Sequence, residues 1–140
     1  MSSIRFFNEE VEFKLDHPRK TSNWIKLAVL QERGTISELN FIFCSDSFLH
    51  SINVKYLNHS TLTDIITFDN GSDANAIDGE IYISIPRVME NARSFDKTFD
   101  NELHRVIIHG VLHLIGYSDK TTRQKSVMRK KEDSYLSLRS

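Results

Sequence analysis

His109 and His113 stand four residues apart in the stretch HGVLHLIGYSDK (109–120), which carries Asp119 just past a glycine. On a helix, side chains at i and i+4 share a face, with Cβ atoms about 5–6 Å apart. Two imidazoles at that spacing can chelate one divalent ion, as in the helical H-E-x-x-H motif. A zinc site that does chemistry needs three protein ligands and an open position, and two histidines with one carboxylate form a recurrent set. Gly116 can end the helix and Tyr117-Ser118 can turn the chain, so Asp119 comes within reach of the same ion. The predicted ligand set is His109, His113 and Asp119. A plainer reading stands beside it. The chain has six histidines, so a pair at this spacing also arises by chance, and Asp119 alone suits the N-cap of a following helix.

Gly110 narrows the chemistry. Zinc peptidases of the H-E-x-x-H kind carry their general base at that position. A glycine there disfavours proteolysis by that route, and its missing side chain would let a substrate backbone approach the ion. No catalytic residue beyond the ligands is singled out. Glu102, seven residues before His109, lies on a similar helix face and could orient a ligand from behind, although a solvated first-turn acid is the simpler reading. Tyr117 could hydrogen-bond near the site or fill the core. His17, His50 and His59 show no ligand spacing.

The elements that must position these residues follow from local patterns. Residues 4–15 read as an extended start, with Val11, Phe13 and Leu15 alternating. HPRKTSN is a break, after which Ser22 or Asn23 can cap a helix stopped by Gly34. TISELNFIFC alternates Leu39, Phe41 and Phe43 as a strand does. Asp46 can cap the next helix. LTDIITF (62–68) and GEIYISIP (79–86) read as strands separated by a polar loop. Pro86 suits the first turn of a helix. Asp100 can cap the long apolar helix that carries both histidines. A final helix through 123–138 offers Val127, Met128, Tyr135 and Leu138 for packing. The order β-α-β-α-β-β-α-α-α predicts an α+β fold: a small mixed four-stranded sheet with helices packed mainly on one face.

Bulk properties bound the rest. A chain of 140 residues with 39% hydrophobic and 26% charged content fits one domain spanning 1–140. No apolar run approaches the roughly 20 residues needed to span a bilayer, and no secretory leader is expected from the first residues. The lone Cys44 fits a reducing compartment and a small core residue. Net charge is −1, yet seven Lys/Arg against two acids from Lys120 onward make that segment +5 and the remainder −6. A basic end on an acidic body suggests a polyanion surface. Lys120, Arg123, Lys125 and Lys130 are its candidate contacts, although a solvated helix face explains the same charges.

At the motif itself the sequence resembles the YbeY family of bacterial endoribonucleases implicated in ribosomal RNA maturation. The family pattern is H-G-x-L-H-L-x-G-Y-D-H, and nine positions from His109 to Asp119 follow it. LTDIITF resembles the family's P-T-D-V-L-S-F strand and GEIYIS its G-D-I-x-I-S strand, in the same order, so the resemblance covers about residues 35–135. It implies a zincin-like metal-binding helix holding one zinc ion per chain. It also implies cleavage of single-stranded RNA, a role in small-subunit ribosomal RNA 3′-end maturation and ribosome quality control, a cytoplasmic location and a monomer.

Two departures stand out. The third family histidine falls on Asp119, which can still bind zinc through oxygen but lowers the positive charge of the site and makes the ion a weaker Lewis acid. The family arginine in the helix before P-T-D-V falls on Leu57, which either weakens catalysis or shifts the phosphate-facing role to another cation, with Lys55, Arg105 and the tail residues as candidates. An assembly or docking factor with a structural metal therefore remains open, as does a hydrolase of another phosphoester.

Overall fold

The computed structural model describes residues 3–57, 63–71 and 76–139. The described residues form four strands, β1 (Ser3–Glu9), β2 (Thr35–Cys44), β3 (Ile65–Asp69) and β4 (Ala76–Ser84), and five helices, in the order β-α-β-α-β-β-α-α-α. The helices are α1 (Pro18–Gln31), α2 (Asp46–Leu57), α3 (Ile85–Ser94), α4 (Phe99–Ile115) and α5 (Thr122–Ser137). The sheet runs β1-β2-β4-β3. β1 pairs parallel with β2 and β2 with β4, while β3 is antiparallel to β4. The element order and the mixed α+β sheet match the sequence expectation.

Period-two side chains divide the sheet into two faces. Leu39, Phe41, Phe43, Ile81 and Ile83 are buried in one core with Trp24, Ile25, Ala28 and Val29 of α1 and Leu103, Val106, Ile107 and Val111 of α4. Among the described residues, the opposite face is covered by α2, whose Leu49 and Ile52 close over Cys44 and Ile66. Burial pushes the Cys44 thiol up to about 12, with nearby acids adding to the effect. That is an inert core thiol.

α4 lies very close to the sheet because two glycines leave room. A Cβ on Gly110 would sit 2.8 Å from Ile65 Cδ1 and 3.1 Å from two carbons of Ile81, and one on Gly79 would sit 3.2 Å from Leu114 Cδ1 of α4. Gly110 is therefore a packing glycine turned toward β3 and β4, and not the opening for substrate that its bareness suggested.

Several predicted boundaries shift. The strand at the start ends at Glu9, because Glu10 takes a positive φ of 57°. Phe13 instead folds back edge-on against Phe43 and Phe99. α1 begins six residues before the expected start, at Pro18. Its fixed φ suits a first helical position, and neither Ser22 nor Asn23 is the cap. Arg33 takes the left-handed φ of 64° at its end, one residue before Gly34, whose N–H donates to the Val29 carbonyl. Ser45, not Asp46, caps α2 by accepting from Phe48 N–H at 3.1 Å, while Asp46 pairs with Arg87 at 2.8 Å. Thr98, not Asp100, caps α4. Val127 and Leu138 of the last helix are exposed, and only Met128 and Tyr135 of the four expected packing residues are buried.

Candidate metal centre

α4 is buried around most of its girth, so its two histidines have fixed origins. The helix ends in a Schellman pair: Tyr117 N–H donates to the Leu112 carbonyl at 3.0 Å and Gly116 N–H to that of His113 at 3.1 Å. Gly116 carries the positive φ, 126°, that this reversal needs. The chain is turned back along its own helix, and Asp119 arrives beside the histidines. Asp119 is not the cap of α5. That role belongs to Thr121, which accepts from Gln124 N–H in a reciprocal capping box.

The three ligand atoms converge. His109 Nε2 and His113 Nε2 lie 3.0 Å apart. Asp119 Oδ2 is 3.4 Å from the first and 3.5 Å from the second. Zinc bonds of about 2.0–2.1 Å at tetrahedral angles put neighbouring ligand atoms about 3.3 Å apart. All three separations fall close to that figure.

The outer nitrogens explain why both Nε2 atoms are free to bind. His109 Nδ1 faces Glu132 Oε2 at 2.6 Å, and His113 Nδ1 faces the Tyr117 carbonyl at 3.0 Å. Both partners are acceptors, so each Nδ1 carries a hydrogen, and either ring in its neutral form presents an Nε2 lone pair inward. Two lone pairs and a carboxylate oxygen at these distances repel unless a proton or a cation lies among them. The donor set thus fits a divalent ion, and the Asp119 side chain is 39% exposed.

Glu132 was not singled out in the sequence, and it is the main support of the first ligand. It sits on the inner face of α5, 6% exposed, and is also held by Arg105 at 2.8 Å. Burial opposes its charge, but the bonds from His109 and Arg105 outweigh it and hold the carboxyl below its ordinary range. The same pairing lifts His109 above the usual imidazole range against the pull of burial. A carboxylate behind a metal-binding histidine fixes the tautomer and raises basicity. Glu102, the residue expected in that role, makes no hydrogen bond to either histidine among the described residues. It lines a cavity of about 230 Å³ beside His109, with Asp64, Arg105, Arg129 and Glu132. Burial raises the carboxyls of both Asp64 and Glu102. Sequence spacing pointed to Glu102 because it shares α4 with His109; only tertiary packing brings α5 across to supply Glu132.

The expected cations separate into groups. Lys120, Arg123, Lys125 and Lys130 are exposed on the turn and on α5. Arg105 is occupied by Glu132 and Asp133. Lys55 lies over the Tyr56 ring on the α2 side of the sheet. Arg129 lines the cavity next to His109 and lies 3.7 Å from Glu132 Oε1.

Known proteins are similar to this chain along nearly its whole length. A family profile described as Endoribonuclease YbeY matches residues 4–139. An Endoribonuclease YbeY of Amoebophilus asiaticus is 50% identical over 135 residues, covering 96% of this chain and 92% of that protein. One from Karelsulcia muelleri is 54% identical over 127 residues, covering 91% and 89%. The solution structure of a Thermotoga maritima protein superposes with a TM-score of 0.69 at 28% identity, covering 97% of this chain and 88% of that one. With the profile matched over residues 4–139 and about half of all positions identical to such relatives, the chain belongs to the YbeY family.

Proposed function

We propose that the chain is a zinc-dependent endoribonuclease that cuts single-stranded RNA, with ribosomal RNA at the small subunit as substrate, in the cytoplasm and as a monomer. The observation that carries the reading is the set of three separations, 3.0, 3.4 and 3.5 Å, among His109 Nε2, His113 Nε2 and Asp119 Oδ2. An ion held there supplies Lewis-acid stabilisation of charge at a phosphodiester. His109 and His113 hold it as neutral donors, and Glu132 keeps the first of them in the binding tautomer. Arg129, in the cavity beside His109, takes the phosphate-facing role that an arginine at position 57 would have had. The raised carboxyls of Asp64 and Glu102 line the same cavity and are placed to exchange a proton there. Lys120, Arg123, Lys125 and Lys130 follow the ligand turn and extend a basic surface for the RNA backbone, so binding weakens with salt.

The test combines elemental analysis with cleavage assays on single-stranded and duplex RNA, with and without chelator. About one zinc per chain and chelator-sensitive cutting of the single strand alone are expected. A metal-free protein, or cutting that ignores chelator, overturns the reading.

A second reading, an assembly factor with a structural ion and little nuclease activity, is favoured by the aspartate at 119 and the leucine at 57. Asp119→Ala separates the two. A folded but inactive variant supports catalysis, whereas loss of folding in a chain whose wild type does not cut RNA supports the structural ion.

A further inference from the structure

Glu32 follows the last residue of α1 and lies outside the ligand set, yet its side chain is only 8% exposed. It accepts a hydrogen bond from the Tyr117 phenol at 2.6 Å, one from the Tyr135 phenol, and one from the Lys131 ammonium at 3.0 Å. Lys131 Nζ also lies 5.6 Å above the Tyr117 ring. One carboxylate therefore ties together the end of α1, the ligand turn and α5.

Tyr117 is the member of this group that reaches the metal centre. Its backbone carbonyl accepts from His113 Nδ1 at 3.0 Å, and its N–H closes the helix end on Leu112. Asp119 follows two residues later. Three donors on a buried carboxylate make a group that cannot shift without leaving polar atoms unpaired.

We propose that Glu32 is a positioning residue for the metal centre, acting through the Tyr117 phenol to hold the turn that selects the His113 tautomer and delivers Asp119. This inference rests on the metal-binding reading of the site. The Tyr117 carbonyl selects the ring form with hydrogen on Nδ1 and the lone pair on Nε2. Were the turn to slip, the ring could place its hydrogen on Nε2, and that nitrogen could no longer ligate.

Tyr117→Phe removes the phenol and leaves the ring and carbonyl in place. The test compares it with Tyr135→Phe, which takes a phenol from the same carboxylate without touching the turn. Ring ¹⁵N shifts of His113 in metal-free protein and zinc affinity by competition with a chromophoric chelator are the readouts, with thermal melts as the check on folding. Tyr117→Phe is expected to mix the His113 tautomers and to lower zinc affinity about 10–100-fold. Tyr135→Phe is expected to melt earlier but keep the tautomer and the affinity. Glu32→Gln, which retains an acceptor, is expected to hold more zinc than Glu32→Ala. The inference is overturned if Tyr117→Phe matches the wild type, or if Tyr135→Phe loses tautomer and affinity equally. A wild type that binds no zinc sinks the metal reading separately, and the tautomer measurement still decides the role of Tyr117.

Discussion

The centre has two halves built by different means. His109 and His113 stand on a helix locked against the sheet, and the first is braced by a buried carboxylate on α5. Asp119 stands on a short turn, 39% exposed, held by a helix-end motif and by the cap of the next helix. The helix half gets its precision from packing and buried charge, while the turn half gets it from backbone hydrogen bonds. Mutation should therefore cost stability mostly in the first half and ligand geometry mostly in the second.

The largest effect expected is from Glu132→Ala. It leaves Arg105 with Asp133 alone and removes the brace of His109, and breaking a buried pair of this kind costs about 3–5 kcal/mol. Chemical denaturation checks it, and a loss under about 1 kcal/mol would erase the contrast between the halves. Next comes Gly110→Ala, whose new methyl would meet Ile65 and Ile81 at 2.8 and 3.1 Å. Overpacking costs about 1–3 kcal/mol, and zinc affinity should fall with it because the helix must lift. In the turn half, Thr121→Ala removes a cap worth about 1 kcal/mol. It should weaken zinc binding more, relative to its stability loss, than Gly110→Ala does; competition titrations beside melts give both numbers. The smallest effect on folding is expected from Arg123→Ala with Lys130→Ala, within about 0.5 kcal/mol. RNA binding in that double variant should lose up to about 1.4 from its log–log salt slope.

Acidity sharpens the same contrast in metal-free protein. The Glu132 carboxyl is held below its ordinary 4.5, so its contribution is present above that value and is lost as the pH falls. His109 is raised above its ordinary 6.5, so its contribution is present below that value and is lost as the pH rises through the raised one. The pair stabilises most between those limits. Melting temperature against pH should show that maximum, and Glu132→Gln should flatten it. A divalent ion held by the same atoms would replace the proton, so metal affinity should climb with pH instead.

The sequence made the motif helix legible because both imidazoles and the helix-ending glycine are local signals. It made the sheet legible because Leu39, Phe41 and Phe43, and then Ile81 and Ile83, alternate cleanly. What it hid was tertiary. Glu132 lies 23 residues from His109, and Glu32 lies 85 residues from Tyr117; no spacing rule connects them. On its own helix Glu132 sits in a run of charges that reads as solvated. Helix starts were also obscured. His17 caps α1 without a side-chain bond, and at three other helices an acid near the true cap gave an equally good local signal. Gly110 was noticed for its missing side chain, but only the packing of α4 shows which way that bareness faces.

The nearness of α4 to the sheet has a consequence for how this protein can drift. Gly110 sits between the two histidines in sequence, and the methyls of Ile65 and Ile81 rest where its side chain would be. No cushion of flexible atoms separates the strands from the ligand-bearing backbone there. A bulkier residue at 65 or 81, chemically innocent and far from any ligand list, would push on the helix as directly as a change in the helix itself. Neutral exchange of one aliphatic residue for another, common in most cores, should be narrow at these two positions, and metal retention should fail there before the fold does.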